Sequence, residues 1–314
     1  MIKPITILTF NAGLLDINLF GLSFFKPAAY IEKRTEAIAK QLKDSNADII
    51  ALQEVYLRKH HRYFIEELEE VYPYHAYPEM QRFNWGSGLM TFSKFPMIEW
   101  NFTPFVELGT VDEKIFTKRG MLNASVKICG SVSINIVNIH LTSGGVFHQM
   151  DDKKIEQKRS KQIEEVLRVA NETKTEGVII LGDFNLGPRV STKNYEEVLH
   201  YGFKDVYDVY CRAHQLPGEV TWDITNPLIV NQFGVGSNRL DHIMIKKEHW
   251  NVLDADFVPA FSLVKEVGKE VLSCSVPKGY SNELRQKFPF LILGRDKLNK
   301  CLRDWEKKDE NPNL

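Results

Sequence analysis

The apolar run Val178-Ile179-Ile180-Leu181 leads directly into Gly182-Asp183-Phe184-Asn185. Such a run reads as a buried strand, and the residues after it as a turn that carries a carboxylate and a carboxamide. Side chains alternate along a strand, so Asp183 and Asn185 are expected on one side and Phe184 on the other. Two polar groups are thereby delivered to a strand end, where α/β proteins place ligand sites on a rigid support.

The same pattern recurs along the chain. Ile5 to Phe10 leads to Asn11, and Asp48-Ile49-Ile50-Ala51-Leu52-Gln53 to Glu54. Ile134 to Ile139 leads to His140, and Asp241 lies within the apolar stretch Leu240 to Ile245. Five strands each supplying a polar group exceed what turn capping alone would produce. Between them, Ile31 to Lys43 and Glu156 to Asn171 carry apolar residues at helical spacing, the second with an inner stripe of Ile163, Val166, Leu167 and Ala170. Lys59 to Val71 reads as another helix, and Gly120–Ile128 with Ser131–Leu141 as a hairpin turning at Cys129-Gly130. Strand, helix, strand is an α/β signal.

Composition narrows the function classes. With 314 residues, 43% of them apolar, the chain can build one large domain, and its net charge of −1 supplies no overall electrostatic grip on a polyanion, so general nucleic-acid binding is not expected. The four cysteines are widely spaced and indicate neither a zinc site nor a disulfide framework. No leader or spanning segment is read, which gives the expectation of a cytoplasmic protein, with any membrane contact made from the surface. Leu14 to Phe25, rich in Leu, Ile and Phe, is read either as a flap on the core or as a lipid-facing lip.

The ordered set Asn11, Glu54, His140, Asp183 with Asn185, and Asp241 resembles the endonuclease/exonuclease/phosphatase superfamily over Ile5 to about Ile245. Phe10-Asn11-Ala12-Gly13, Leu52-Gln53-Glu54-Val55-Tyr56, Gly86-Ser87-Gly88-Leu89, and Thr221-Trp222-Asp223 before Asn226-Pro227-Leu228 are more specifically similar to its neutral sphingomyelinase branch. The resemblance implies a four-layer α/β sandwich, two packed mixed β-sheets flanked by helices, over residues 1–292, with a charged helix and tail over 293–314. It implies a Mg2+-dependent phosphodiesterase, Mn2+ being an alternative metal, that cleaves a phospholipid such as sphingomyelin to release the phosphorylated head group. Glu54 is then the main metal ligand with Asn11 beside it. Asp183 orients or deprotonates the attacking water, and Asn185 and His140 contact the phosphate. Asp241 belongs to the catalytic set. Lys118 or Arg119, with the upstream Asp112, assists the phosphate, and Trp222 lines the substrate pocket.

The family pattern also contains a late Ser-Asp-His triplet, yet no histidine follows His249. The one Asp-His pair is Asp241-His242, which makes His242 a candidate catalytic residue, although alternation sends it to the face opposite Asp241. Ser281-Asn282-Glu283 or Arg285-Gln286-Lys287 stands where the triplet falls. Three outcomes stay open: a weakened enzyme, an enzyme working through Asp183 or Glu283, or a phosphate- or lipid-binding module. A nuclease or sugar-phosphate phosphatase on the same scaffold is the alternative activity.

Overall fold

The structure is a computed structural model that describes residues 5–19, 22–25, 31–79, 86–130, 132–144, 151–173, 175, 177–216, 218, 220–222, 236–246, 256–257 and 290–293, with the backbone alone for 17–19, 22–25, 112, 116, 256–257 and 290–293. In chain order the elements are β1 (Ile7–Asn11), β2 (Ile17–Leu19), β3 (Leu22–Phe25), α1 (Ile31–Ser45), β4 (Ile49–Gln53), α2 (Arg58–Leu68), β5 (Tyr74–Ala76), β6 (Met90–Ser93), β7 (Met97–Pro104) and α3 (Val111–Phe116). They continue as β8 (Gly120–Cys129), β9 (Val132–His140), α4 (Asp152–Glu172), β10 (Gly177–Asp183), α5 (Thr192–His200), β11 (Phe203–Asp205), α6 (Val206–His214), β12 (Asp241–Lys246), β13 (Asp256–Phe257) and β14 (Phe290–Leu293).

Two mixed sheets form, with strand orders β13-β14-β1-β4-β6-β5 and β11-β12-β10-β9-β8-β7. The first sheet runs parallel from β13 through β14 and β1 to β4 and is completed by antiparallel β6 and β5, whereas the second has a parallel centre, β9 with β10, flanked by antiparallel strands. Strand alternation sorts the core. Ile7, Ile49, Ala51, Ile134, Ile136, Ile179, Leu181, Ile243 and Ile245 meet between the sheets. Leu8, Phe10, Ile50 and Leu52 turn outward to pack on Ile38, Leu42, Phe64 and Leu68 of α1 and α2. Val137, Ile139, Val178 and Ile180 turn outward to the Ile163, Val166, Leu167 and Ala170 stripe of α4. Helices thus cover the outer face of both sheets, the layered arrangement expected from the sequence.

The hairpin of β8 and β9 turns at Cys129-Gly130 as expected, with Met121 opposite Ile139. Gly182 has φ +136°, and a Cβ there would stand 2.1 Å from the Ile139 carbonyl oxygen, so only glycine lets β9 and β10 close up beside the two strand ends. Leu14 and Leu15 are buried and belong to the core rather than to an exposed lip. The backbone of 17–19 and 22–25 pairs as a two-stranded antiparallel ribbon. The expected helix at 296–308 and the triplet region around 281–287 lie outside the described residues. Among the described residues no helix is long and apolar enough to cross a membrane.

Candidate active site at the inter-sheet rim

Alternation and register together assemble one polar row. On β10, Asp183 shares the inward face with Ile179 and Leu181. Its Cα register partners are His140 on β9 and Asp241 on β12. Across the gap, Asn11 on β1 is the register partner of Gln53 on β4, and Glu54 follows. Asn11 bridges the sheets: its Nδ2 donates to Glu54 Oε1 at 3.0 Å and to Asp183 Oδ2 at 2.7 Å. His140 Nε2 lies 3.6 Å from Asp183 Oδ2. Among the described residues, Glu54, His140 and Asp183 offer ligand atoms that all lie within 4.8 Å of one another, a group able to hold a metal ion.

Two of these positions are bought with backbone strain. Glu54 has φ 58° and Asn185 φ 53°, the left-handed region that most residues avoid at a cost of ~1–2 kcal/mol. The turn after β4 is braced by His61 Nε2, which donates to the Val55 carbonyl at 2.6 Å. The left-handed turn also corrects the reading of Asn185. It lies beyond the strand end, so simple alternation with Asp183 no longer applies. Its N–H donates to Asp183 Oδ1 at 2.8 Å, while its Nδ2 donates to the Leu141 carbonyl at 2.9 Å.

Asn11 is corrected as well. Its Oδ1 accepts the Gly13 N–H at 3.0 Å, which fixes the amide with its nitrogen toward the two carboxylates. It therefore stands as a donor holding Glu54 and Asp183 together, whereas the sequence reading set it with Glu54 at the metal. Beneath it, Gln53 Nε2 donates to Thr9 Oγ1 at 3.1 Å and to Asn138 Oδ1 at 2.8 Å, and Asn138 Nδ2 donates to the Leu52 and Met90 carbonyls. This buried polar layer ties the sheets together directly under the site and limits sliding of one against the other. The sequence reading noted that Asn138 shares the face of His140, and gave Gln53 no role.

Of the two cations before Gly120, Arg119 points inward. It is buried, its Nη2 lies 2.9 Å from Glu113 Oε1, and its Nη1 donates to the Leu141 carbonyl at 2.9 Å. Burial opposes its charge, but Glu113, Tyr56, Glu54 and Asp183 together hold its pKa above the usual arginine value. Lys118 instead sets its ammonium 6.0 Å from the centre of the Phe102 ring. The acid that pairs with the inward cation is Glu113, next to the expected Asp112. Glu113 also accepts from the Thr142 hydroxyl, from the Ser143 N–H and hydroxyl at 2.9 Å, and from the Thr110 N–H at 3.0 Å. Burial raises its pKa, yet Arg119 and these donors bring it below the usual carboxylate value. The signal that could have found Glu113 is the Thr110-Val-Asp-Glu113 capping box, which the helix does form.

Tyr56, buried beside this group, has its pKa raised by burial and by Glu54, Glu113 and Asp183 against the opposing Arg119, so the phenol stays protonated. Trp222 is half-buried, and its backbone pairs with Asn238. The neighbouring Thr221 hydroxyl accepts the N–H groups of Leu240 and Asp241, so the Thr221-Trp222 segment fixes the entry of the Asp241 strand.

The assignment of His242 to the catalytic set is overturned by its direction. It lies on the opposite face of β12, fully buried, with Nδ1 2.9 Å from Asp205 Oδ2 and Nε2 2.8 Å from the Leu186 carbonyl. Arg239 and Tyr195 complete that cluster through the same Asp205 oxygen. Its geometry serves packing behind the sheet, away from the polar row.

Solved structures with this fold include SmcL, at 18% identity and a TM-score of 0.63 over 79% of this chain and 84% of that one. Sphingomyelinase C from Streptomyces griseocarneus is similar at 17% identity and a TM-score of 0.58, covering 79% and 86%. A beta toxin mutant from Staphylococcus aureus with bound magnesium ions is similar at 17% identity and a TM-score of 0.60, covering 78% and 84%. At these identities the likeness is one of fold. No curated protein sequence matches the chain. The family model described as Endonuclease/Exonuclease/phosphatase family matches residues 8–263, and this chain belongs to that family.

Proposed function

We propose that the chain is a metal-dependent phosphodiesterase that hydrolyses a membrane phospholipid such as sphingomyelin, with release of the phosphorylated head group. The observation that carries this reading is the meeting of Glu54, His140 and Asp183 within ligand distance at one rim, with Asn11 bridging two of them. Family membership supports phosphodiester chemistry, and the fold shared with a sphingomyelinase C supports the lipid class.

The donor set fits a divalent cation. Two carboxylates supply the hard oxygens that Mg2+ requires, and the His140 nitrogen makes Mn2+ a second fit. A cation held by Glu54, Asp183 and His140 would draw negative charge from a phosphoryl oxygen, an effect of several kcal/mol on such a transition state. The chain's own residues supply the rest. Asp183 is oriented by the Asn11 amide and the Asn185 N–H, so its carboxylate is positioned to order a water and take its proton. Arg119, itself paired with Glu113, lies close enough to Glu54 and Asp183 to offset their negative charge, and Asn138 with Gln53 keeps the two halves in register.

The test is release of phosphocholine from sphingomyelin by the purified chain with Mg2+ or Mn2+, beside single-stranded DNA and a sugar phosphate as competing substrates. Glu54→Ala is expected to abolish turnover. Cleavage of DNA but not lipid would move the chain to a nuclease reading, and unchanged turnover in Glu54→Ala would refute the assignment of the site.

A further inference from the structure

Helix α3 has an inner and an outer side with opposite surroundings. On the inner side Glu113 is buried and bonded to Thr142 and Ser143, the residues that follow the His140 strand end. On the outer side Val111 and Ile115, one turn apart, are 70% and 60% exposed, and Val106 on the loop leading into the helix is 87% exposed. Single exposed apolar side chains are ordinary. Three on one short segment, whose other side grips the rim of the site, form a local surface.

The charges of this segment indicate what that surface meets. Lys114 is exposed on α3 between Val111 and Ile115 in sequence, and Lys118 lies at the end of the segment. Of the described acid side chains on the segment, Glu113 is paired inside with Arg119 and Glu107 is paired with Lys158 and Lys161. The described side chains therefore present apolar tips beside the exposed cation of Lys114. That composition suits an interfacial segment, whose apolar atoms enter the head-group and acyl boundary while its lysines meet lipid phosphates.

We infer that α3, with Val106, is a docking surface for a phospholipid bilayer that holds the rim of Glu54, His140 and Asp183 against the lipid plane. The purpose of this surface rests on the lipid reading above, but its binding does not require turnover. Because Glu113 joins the helix to Thr142 and Ser143, docking and site geometry share one rigid connection.

The test is co-sedimentation of the full chain with vesicles of sphingomyelin, phosphatidylcholine and phosphatidylserine, with EDTA present so that nothing is hydrolysed. The wild-type chain binds, Val111→Asp with Ile115→Asp binds ~10-fold or more weakly, and Lys114→Glu weakens binding ~5-fold with a smaller salt dependence. Val111→Ser with Ile115→Ser, melting as the wild type does, serves as the milder control and also binds more weakly. With metal restored, the aspartate pair loses turnover on vesicles but keeps the wild-type rate on dissolved bis(p-nitrophenyl) phosphate. Failure of the wild type to sediment, equal sedimentation of the variants, or an equal loss on the dissolved substrate would overturn the docking surface. Binding that falls in the variants while no lipid is ever cleaved would leave the surface standing and remove the sphingomyelin reading.

Discussion

Asp183 and Asp241 are register partners on the antiparallel pair β10 and β12, both turned toward the space between the sheets, with His140 on the other flank of Asp183. Two neighbouring carboxylates repel, and Glu54 adds a third acid to the same rim. A bound cation relieves that repulsion in the folded chain alone, so cation binding and folding are linked. Mg2+ or Mn2+ at a hundred times its Kd is expected to stabilise the chain by about 2.7 kcal/mol, read as a rise in Tm that EDTA reverses. Asp183→Asn should lose most of that rise. A wild-type melt indifferent to both cations would argue against a metal at this rim.

The left-handed turn at Glu54 gives a second expectation, one that separates backbone strain from chemistry. Any β-carbon is unfavourable at φ 58°, and glycine is not penalised there. Glu54→Gly and Glu54→Ala should both lack activity, since each removes the carboxylate. Yet the glycine variant should be the more stable of the two by about 1 kcal/mol, because it escapes the left-handed penalty. Denaturant unfolding of the pair measures this directly, and the opposite order would show that the turn is not held left-handed in solution.

Much of this site was legible because strand alternation and strand-end polarity are local signals. The apolar runs before Asn11, Glu54, His140 and Asp183 located their strands, and parity alone sets His242 opposite Asp241. What parity could not supply is the geometry beyond a strand end: Asn185 leaves the pleat through a left-handed turn, so its amide goes to Leu141. Nor do local signals reveal partners far apart in sequence. Glu113 reads as a capping residue, and only the fold brings Arg119, Thr142 and Ser143 to it. Asp205 likewise reads as the N-cap of α6, which it is, while its second oxygen gathers Tyr195, Arg239 and His242.

His61 makes stability depend on pH in a stated direction. Burial pushes its imidazole down to about 4, against the hydrogen bond to Val55 and with the help of neighbouring His60. The unfolded chain therefore binds this proton more readily than the folded one. The contribution is fully present above the unfolded value near ~6.5 and is lost as pH falls through about 4, a change of roughly 3 kcal/mol. His61→Phe removes the titrating group and should flatten this part of the stability profile between those limits, measured by urea unfolding at each pH. An unchanged slope in the variant would assign the acid sensitivity to other groups.

The cluster behind β12 discriminates a structural His242 from a catalytic one. Asp205 is buried, and although burial opposes its charge, Arg239 and His242 hold its pKa far below the usual carboxylate range. Removing that charge by Asp205→Asn leaves the Arg239 guanidinium buried without its partner, which costs about 3–5 kcal/mol in comparable cases. His242→Asn should also destabilise the chain, since it loses the contacts to Asp205 and to the Leu186 carbonyl. For both variants, turnover per folded molecule at a temperature well below the melt should stay within a few-fold of wild type. A general acid or base behaves oppositely, because its loss costs ~10²- to 10⁴-fold in rate with little change in stability. A His242→Asn variant that melts like the wild type but turns over a thousandfold more slowly, on the order expected for such a group, would return that histidine to the chemistry.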